Sequence, residues 1–277
     1  LKTKISLFFM VFCFAVMITG CASDTPSNTP ESDKNQELQP ANNTPENDAN
    51  QELQPENNTP EPPAVTNDEQ ENNEKPESSA TLLYQGHGSL RITTSEGKVI
   101  YIDPYMGEGY DVPADLILVT HPHPDHTAIH LIETQNTDCE IITYKEALID
   151  GEHKTFEFDY VTVEAVEAGN NPNHDINVCV GYILTLSDGK SIYITGDTSK
   201  TEQMSAFPER NLDYAFFCGD GIYNMDIDEA AECALFVGAK NNIPYHLSPG
   251  ENFNRERAEL FEAPNRMIIA DGEEIIL

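Results

Sequence analysis

The chain has no tryptophan and is poor in positive charge. Only 15 Lys and Arg stand against 48 Asp and Glu in 277 residues, a formal net charge of −33. The deficit is not confined to one tail, since residues 22–80 hold 14 acids and 2 bases and residues 81–277 hold 34 and 11. Affinity for nucleic acid rests largely on neutralising phosphates with Lys and Arg, so no nucleic-acid partner is expected, and the charge reads as a solvated surface. No Gly-any-Ser-any-Gly elbow occurs, and Gly86-His87-Gly88-Ser89 does not fit that pattern. A serine nucleophile on such an elbow is therefore set aside. Cysteine is also sparse. Cys139, Cys179, Cys218 and Cys233 follow no disulfide framework, so buried free thiols are expected, with Cys218 ending a strand just before Gly219-Asp220-Gly221, the segment expected at the rim of the site.

A membrane-spanning run is missing as well. The longest apolar stretch, Ile5 to Ile18, follows Lys2 and Lys4 and falls short of the about 20 residues that a span requires. Positive residues before a run of this length match a signal peptide. The run ends at Ile18-Thr19-Gly20-Cys21, which resembles the lipobox of bacterial lipoproteins. The resemblance implies that residues 1–21 are an export signal, that Cys21 is lipidated, and that the protein is extracytoplasmic with the membrane as a partner through its anchor.

Residues 22–80 are Asn, Glu, Pro, Thr and Gln with almost no large apolar side chains. Such a stretch cannot bury enough surface to offset its ordering entropy. Asn35-Gln36-Glu37-Leu38-Gln39-Pro40 recurs fifteen residues later as Asn50-Gln51-Glu52-Leu53-Gln54-Pro55. With no apolar face to stack, the repeat reads as a duplicated spacer, a disordered acidic tether held extended by proline and charge repulsion.

Residues 81–277 alternate as a folded domain should, and are numerous enough to bury a core. Thr81–Tyr84, Leu90–Thr93 and Val99–Ile102 predict a strand meander, and Leu116-Ile117-Leu118-Val119 a buried strand. A helix is expected near residues 128–134. Further strands are expected at 140–143, 155–158, 161–165, 178–186, 191–195, 212–217 and 243–246. Asp226–Val237 predicts a helix with Asp226 as N-cap, Asn254–Phe261 another, and Met267–Ala270 with Glu274–Leu277 a closing hairpin. Strands and helices in mixed order imply a layered α/β fold with more than one sheet.

Directly after the buried strand comes His121-Pro122-His123-Pro124-Asp125-His126. In an extended segment His121 and His123 project to one side, and the two prolines disfavour helix and stiffen the loop. Imidazole with carboxylate is the donor set of zinc, and suits manganese and iron too. Four such residues in six positions point to a metal site.

This motif resembles that of the metallo-β-lactamase superfamily, His-any-His-any-Asp-His at the end of a buried strand. Tyr101-Ile102-Asp103-Pro104, Ile192-Tyr193-Ile194-Thr195-Gly196-Asp197-Thr198 and Asn242-Ile243-Pro244-Tyr245-His246 resemble other stations of the same family, with the ascorbate-6-phosphate-lactonase-like branch as its nearest group. The resemblance implies a four-layer αββα sandwich and a dinuclear site using metal-bound hydroxide. It implies that His121, His123 and His174 bind one divalent ion and that Asp125, His126 and His246 bind a second. Asp197 would bridge the two, Asp125 and Asp197 would be catalytic, and His87 could support the ligands from behind. The family's true lactamases carry Cys or Ser where Asp197 stands, which argues against lactam hydrolysis. The expected substrate is a small or envelope-derived ester, lactone or phosphodiester. The rival reading is a lipid-anchored domain that binds metal or ligand without catalysis.

Overall fold

The computed structural model describes residues 79–277. The export signal, Cys21 and nearly all of the tether lie outside the described residues. In chain order the strands are β1 (Thr81–Gly86), β2 (Ser89–Thr93), β3 (Val99–Ile102), β4 (Ala114–Val119), β5 (Gln135–Thr143), β6 (Leu148–Ile149), β7 (Glu152–His153), β8 (Thr155–Glu157), β9 (Val161–Glu167), β10 (Val180–Leu186), β11 (Ser191–Ile194), β12 (Tyr214–Cys218), β13 (Asn241–Tyr245) and β14 (Glu273–Ile276). The α-helices are α1 (Tyr144–Ala147), α2 (Ile227–Val237) and α3 (Arg255–Glu259).

Two six-stranded sheets form, in the orders β14-β1-β2-β3-β4-β5 and β13-β12-β11-β10-β9-β8, and β6 and β7 make a small separate ribbon. The first sheet begins as the expected antiparallel meander and turns parallel at β3–β4–β5. The second is antiparallel at β8–β9–β10–β11 and parallel at β11–β12–β13. The period of two along each strand decides what lies between them. Ile100, Ile102, Leu116 and Leu118 join Val163, Tyr182, Leu184 and Phe216 in one core shared by both sheets. The alternate residues Val99, Tyr101 and Ile117 face outward into a smaller core with Tyr110 and Ile132.

This is the layered sandwich expected, with thin outer layers. On the second sheet α2 lies against β12 and against 3₁₀ turns at Gln203–Arg210. It presents Ile227, Ala230, Cys233, Ala234 and Val237 at helical spacing, is capped by the Asp226 carboxylate on the N–H groups of Asp228 and Glu229, and stops at the left-handed Gly238. On the first sheet the cover is loop and one 3₁₀ turn. The helix expected at 128–134 shrinks to Ile129–Leu131, because β5 begins at Gln135 and leaves no room for a longer one. The closing hairpin does not form either. Met267–Ala270 is not a strand, and β14 pairs with β1 instead. Among the described residues no helix is long and apolar enough to cross a membrane, and the four described cysteines are free.

The topology matters most at one edge. Ligands of open α/β sheets bind beyond the carboxyl ends of parallel strands. Here β3, β4, β11, β12 and β13 end just before Asp103, His121, Asp197, Asp220 and His246 respectively. Hydrogen bonds lock the two sheets together at this edge: Val180 N–H donates to Thr120 O at 2.9 Å, and the Tyr182 hydroxyl to Val119 O at 3.0 Å.

Candidate metal centre

All seven residues singled out in the sequence converge at this edge. Asp197 stands at the middle. Its Oδ2 lies 3.3 Å from His174 Nε2, 3.5 Å from His246 Nε2 and 3.9 Å from His121 Nε2, and its Oδ1 lies 3.4 Å from His126 Nε2. Around it the donors fall into two corners, each able to hold a cation. His121, His123 and His174 form the first; His87, Asp125, His126 and His246 form the second.

The His-Pro-His-Pro-Asp-His segment behaves as its chemistry dictates. His123 keeps an extended backbone, and Pro124 then opens a single 3₁₀ turn, Pro124–His126, in place of a helix. His121 and His123 stack edge-on at 4.7 Å between ring centroids. His174, on a loop with little sequence pattern, is fixed by Asn171, whose Oδ1 accepts from the His174 backbone N–H at 3.0 Å and faces its Nδ1 at 3.2 Å.

Sequence reasoning missed the groups behind the imidazoles. Asp103 accepts from Thr120 N–H at 2.7 Å and from the Thr120 hydroxyl at 2.6 Å, and its Oδ2 lies 2.9 Å from His126 Nδ1. The Thr120 hydroxyl proton is thus committed to a carboxylate, and the Thr120 oxygen, 3.0 Å from His121 Nδ1, is left to accept. The same logic makes Nδ1 the donor in His126 and His174, which leaves Nε2 with its lone pair toward Asp197. A hydrogen-bonded Nδ1 and a free Nε2 is how metal-binding histidines are oriented. Asp220 Oδ2 faces His246 Nδ1 at 3.4 Å, an ion-pair contact rather than a hydrogen bond. The signals were there: Asp103 and Asp220 each follow an apolar strand and adjoin a residue, Pro104 or Gly219 and Gly221, that breaks strand structure.

Burial makes the arrangement demanding. His121, His126, His174, His246 and Asp197 are all buried. Among the described residues, Nε2 of His121, His126 and His246 and Oδ1 of Asp197 are buried without a hydrogen-bond partner, a state that costs about 1–3 kcal/mol per polar group. A coordinated cation satisfies all four. Burial would push the Asp197 carboxyl up, but His246 and His126 outweigh it and hold it well below the usual range. Burial would push His126 down, but Asp197 and Asp103 raise it well above an ordinary histidine. His246 is likewise raised, by Asp197 and Asp220 over the effect of burial. His121 goes the other way, lowered by burial and by His126, and His123 is lowered by burial and His174.

Backbone strain is concentrated here too. His87, Asp103 and His246 have φ of 53°, 46° and 48°, in a region that costs non-glycine residues on the order of 1–3 kcal/mol and persists where surroundings over-determine it. For His87 they do. Its N–H donates to Asn252 O at 2.6 Å and its carbonyl accepts from His246 N–H at 3.0 Å. Expected to stand behind the ligands, His87 reaches the cluster itself: Nε2 lies 3.3 Å from Asp125 Oδ2 and the ring 3.8 Å from that of His246. Cys218, expected as a buried free thiol, is buried and free, with Sγ donating to Thr198 O.

The donors open into a cavity of about 320 Å³ walled by Tyr105, Asn173, Tyr223, Pro249 and Gly250. Among the described residues no Lys or Arg lines it.

Comparison with known proteins fits this geometry. Residues 81–246 match the sequence profile described as the Beta-lactamase superfamily domain. A UPF0173 metal-dependent hydrolase of Geobacillus thermodenitrificans is 32% identical over 191 residues, covering 60% of this chain and 84% of the relative. A counterpart from Anoxybacillus flavithermus is 31% identical over 193 residues, covering 60% and 85%. Among solved structures, one described as a metal-dependent hydrolase from Parabacteroides distasonis superposes with a TM-score of 0.57 at 26% identity, covering 69% of this chain and 92% of that one. Igni18, a metallo hydrolase of Ignicoccus hospitalis, shares the fold with a TM-score of 0.59 at 20% identity, covering 72% and 99%. With more than half its length matched and its His and Asp clusters able to bind metal, the chain belongs to the metallo-β-lactamase superfamily, among the UPF0173 metal-dependent hydrolases.

Proposed function

We propose that this hydrolase holds two divalent ions, with zinc as the first choice and manganese or iron compatible with the same donors, and that it cleaves a small carboxylic ester or lactone. The observation that carries the dinuclear reading is the set of buried, unpartnered donor atoms divided into two corners about one carboxylate. His121, His123 and His174 hold the first ion. Asp125, His126 and His246 hold the second, with His87 against them, and Asp197 faces both. Divalent ions in such a site supply a water nucleophile at neutral pH and polarise the substrate oxygen.

The protein's own groups do the rest. Thr120, Asp103 and Asn171 keep the imidazoles of His121, His126 and His174 in the binding tautomer, and Asp220 faces that of His246. Asp125, half-buried and next to His87, orients the attacking water and carries its proton toward the cavity. Tyr105 and Tyr223 flank the substrate, and Asn173 steadies the mouth by donating from Nδ2 to Tyr223 O at 3.1 Å. Among ester, lactone and phosphodiester, the cavity favours the uncharged acyl substrates, because it offers a phosphate no cationic side chain. A lactone would suit the lactonase-like branch, but not a phosphate carried with it.

The export reading of residues 1–21 puts this reaction outside the cytoplasm on a lipid anchor. Incorporation of labelled palmitate that Cys21→Ala abolishes would support it. The catalytic reading is tested by metal analysis joined to a screen of ester, lactone and phosphodiester substrates. Chelation and His123→Ala should each remove hydrolysis, and full activity after chelation would sink the proposal.

A further inference from the structure

The two-ion reading takes its ligands from seven residues and leaves His87 beside them. The backbone is shaped to put that imidazole there. His87 holds its left-handed φ next to Gly86, whose φ of 128° few other residues adopt. A Cβ on Gly86 would meet Asn252 Cβ at 3.0 Å, and one on Gly88 would meet His126 Cε1 at 2.8 Å and His246 Cδ2 at 3.5 Å. Bare backbone on both sides thus lets the His87 ring in among the imidazoles, its centroid 3.8 Å from that of His246 and 6.1 Å from that of His126. The His87 carbonyl is pinned as well, accepting from the Tyr84 hydroxyl at 3.0 Å. Such strain in a non-glycine residue collects at functional sites.

Packing does not explain the ring. His87 is buried, and among the described residues its Nδ1 has no hydrogen-bond partner. A side chain placed to fill space would be apolar, because a buried unpaired nitrogen costs about 1–3 kcal/mol. The contact with Asp125 explains it only in part. His87 Nε2 lies 3.3 Å from Asp125 Oδ2, whereas charge-assisted bonds to a carboxylate run to about 2.7–2.9 Å. The His126–Asp103 pair of this same site is at 2.9 Å. The longer spacing is that of two ligands on one ion. At about 2.0–2.1 Å from a tetrahedral zinc, neighbouring ligand atoms stand about 3.3–3.4 Å apart. Asp197 keeps 3.3, 3.4 and 3.5 Å from the Nε2 atoms of His174, His126 and His246.

We infer that His87 is a further ligand of the second ion, so that His87, Asp125, His126 and His246 together close that corner. Donor atoms of these residues all lie within 4.8 Å of one another, as do those of His121, His123 and His174 in the first corner. The inference rests on the two-ion reading above and adds one imidazole to it.

Cobalt(II) bound to the purified full-length chain counts the ligands. Each coordinated imidazole carries one exchangeable ring N–H, which gives one paramagnetically shifted proton signal. Full loading should give a signal from each of His87, His121, His123, His126, His174 and His246. A count one short overturns the inference and leaves the two-ion reading standing. His87→Gln should remove one signal from the wild-type set. It should also weaken the tighter zinc step, read by chelator competition, by more than about 100-fold, the most that losing a group behind a ligand costs. Gln keeps an N–H that can donate to Asp125, so a residue that merely steadied Asp125 would lose less. A loss of about 100-fold or below overturns the assignment. If His87→Gln fails to fold, the wild-type count decides alone. Binding of a single ion that His87→Gln abolishes would keep His87 as a ligand and sink the two-ion reading, whereas no stoichiometric metal would sink both.

Discussion

The two corners of the metal cluster are built from similar ligands and differently backed. In the first, His121 leans on a hydroxyl and His174 on an amide, both neutral. In the second, His126 leans on the Asp103 carboxylate, His246 faces that of Asp220, and Asp125 adds a third negative charge. Carboxylates behind imidazoles raise their basicity and their hold on a metal. On the proposed dinuclear reading the second corner is therefore the tighter site, and the first, opening toward Asn173 and the solvent-facing loop 170–176, the weaker.

The largest expected effect removes the distinction altogether. Asp197 faces both corners, so Asp197→Ala should lose stoichiometric binding of both ions and lower kcat/KM by about a thousandfold or more, about 4 kcal/mol of transition-state stabilisation. Metal analysis after dialysis, alongside the rate, checks it, and two retained ions would break the shared-carboxylate reading.

The next separates the corners. Asp103→Asn should weaken the tighter of two zinc-binding steps by about 10- to 100-fold, whereas Asn171→Ala should weaken only the looser step, by about tenfold at most. Competition with a chromogenic chelator resolves the two steps. Equal effects of both substitutions on one step would contradict the asymmetry. Gly88→Ala gives a steric version of the same contrast. A Cβ there would lie 2.8 Å from His126 Cε1, and that ring is pinned by Asp103. The displaced imidazole should loosen the tight step several-fold and leave the other unchanged.

The smallest effect is in pH. Without metal, burial lowers His126 and His246 but their carboxylate neighbours raise them above an ordinary histidine, so they hold protons more readily, whereas His121 and His123 are lowered, by burial first, and hold them less readily. Metal therefore has to displace protons from His126 and His246 more than from His121 and His123. The apparent affinity of the second corner should therefore rise with pH more steeply than that of the first, by up to about tenfold per unit for each proton released. Proton release measured by calorimetry in two buffers would show a difference between the steps, and equal release would refute it.

Much of this cluster was legible before folding because its chemistry is local. His121, His123, Asp125 and His126 occupy six consecutive positions, and the flanking prolines leave that segment little conformational choice. The strand meander and the capped α2 were legible for the same reason, each specified by its own period and end residues. The helix expected at 128–134 and the hairpin expected at 267–277 were not, since a neighbouring strand's start and a distant partner, β1, decided them. Asp103 and Asp220 escaped notice because a single carboxylate after a strand has no pattern of its own. Only its distance to an imidazole far along the chain gives it a role.

The sequence by itself determined that this protein presents a dense His and Asp motif on a strand-ended loop, in an acidic chain poor in Lys and Arg and with no serine elbow. Tertiary structure alone decided that Asp197 would stand between two corners, that His87 would join one of them in a left-handed backbone held by Asn252 and His246, and that Asp220 would tie the Ile222–Tyr223 loop to the cluster. Those outcomes depend on which strands run parallel and end at the same edge. That is a matter of pairing between distant segments, and no local propensity encodes it.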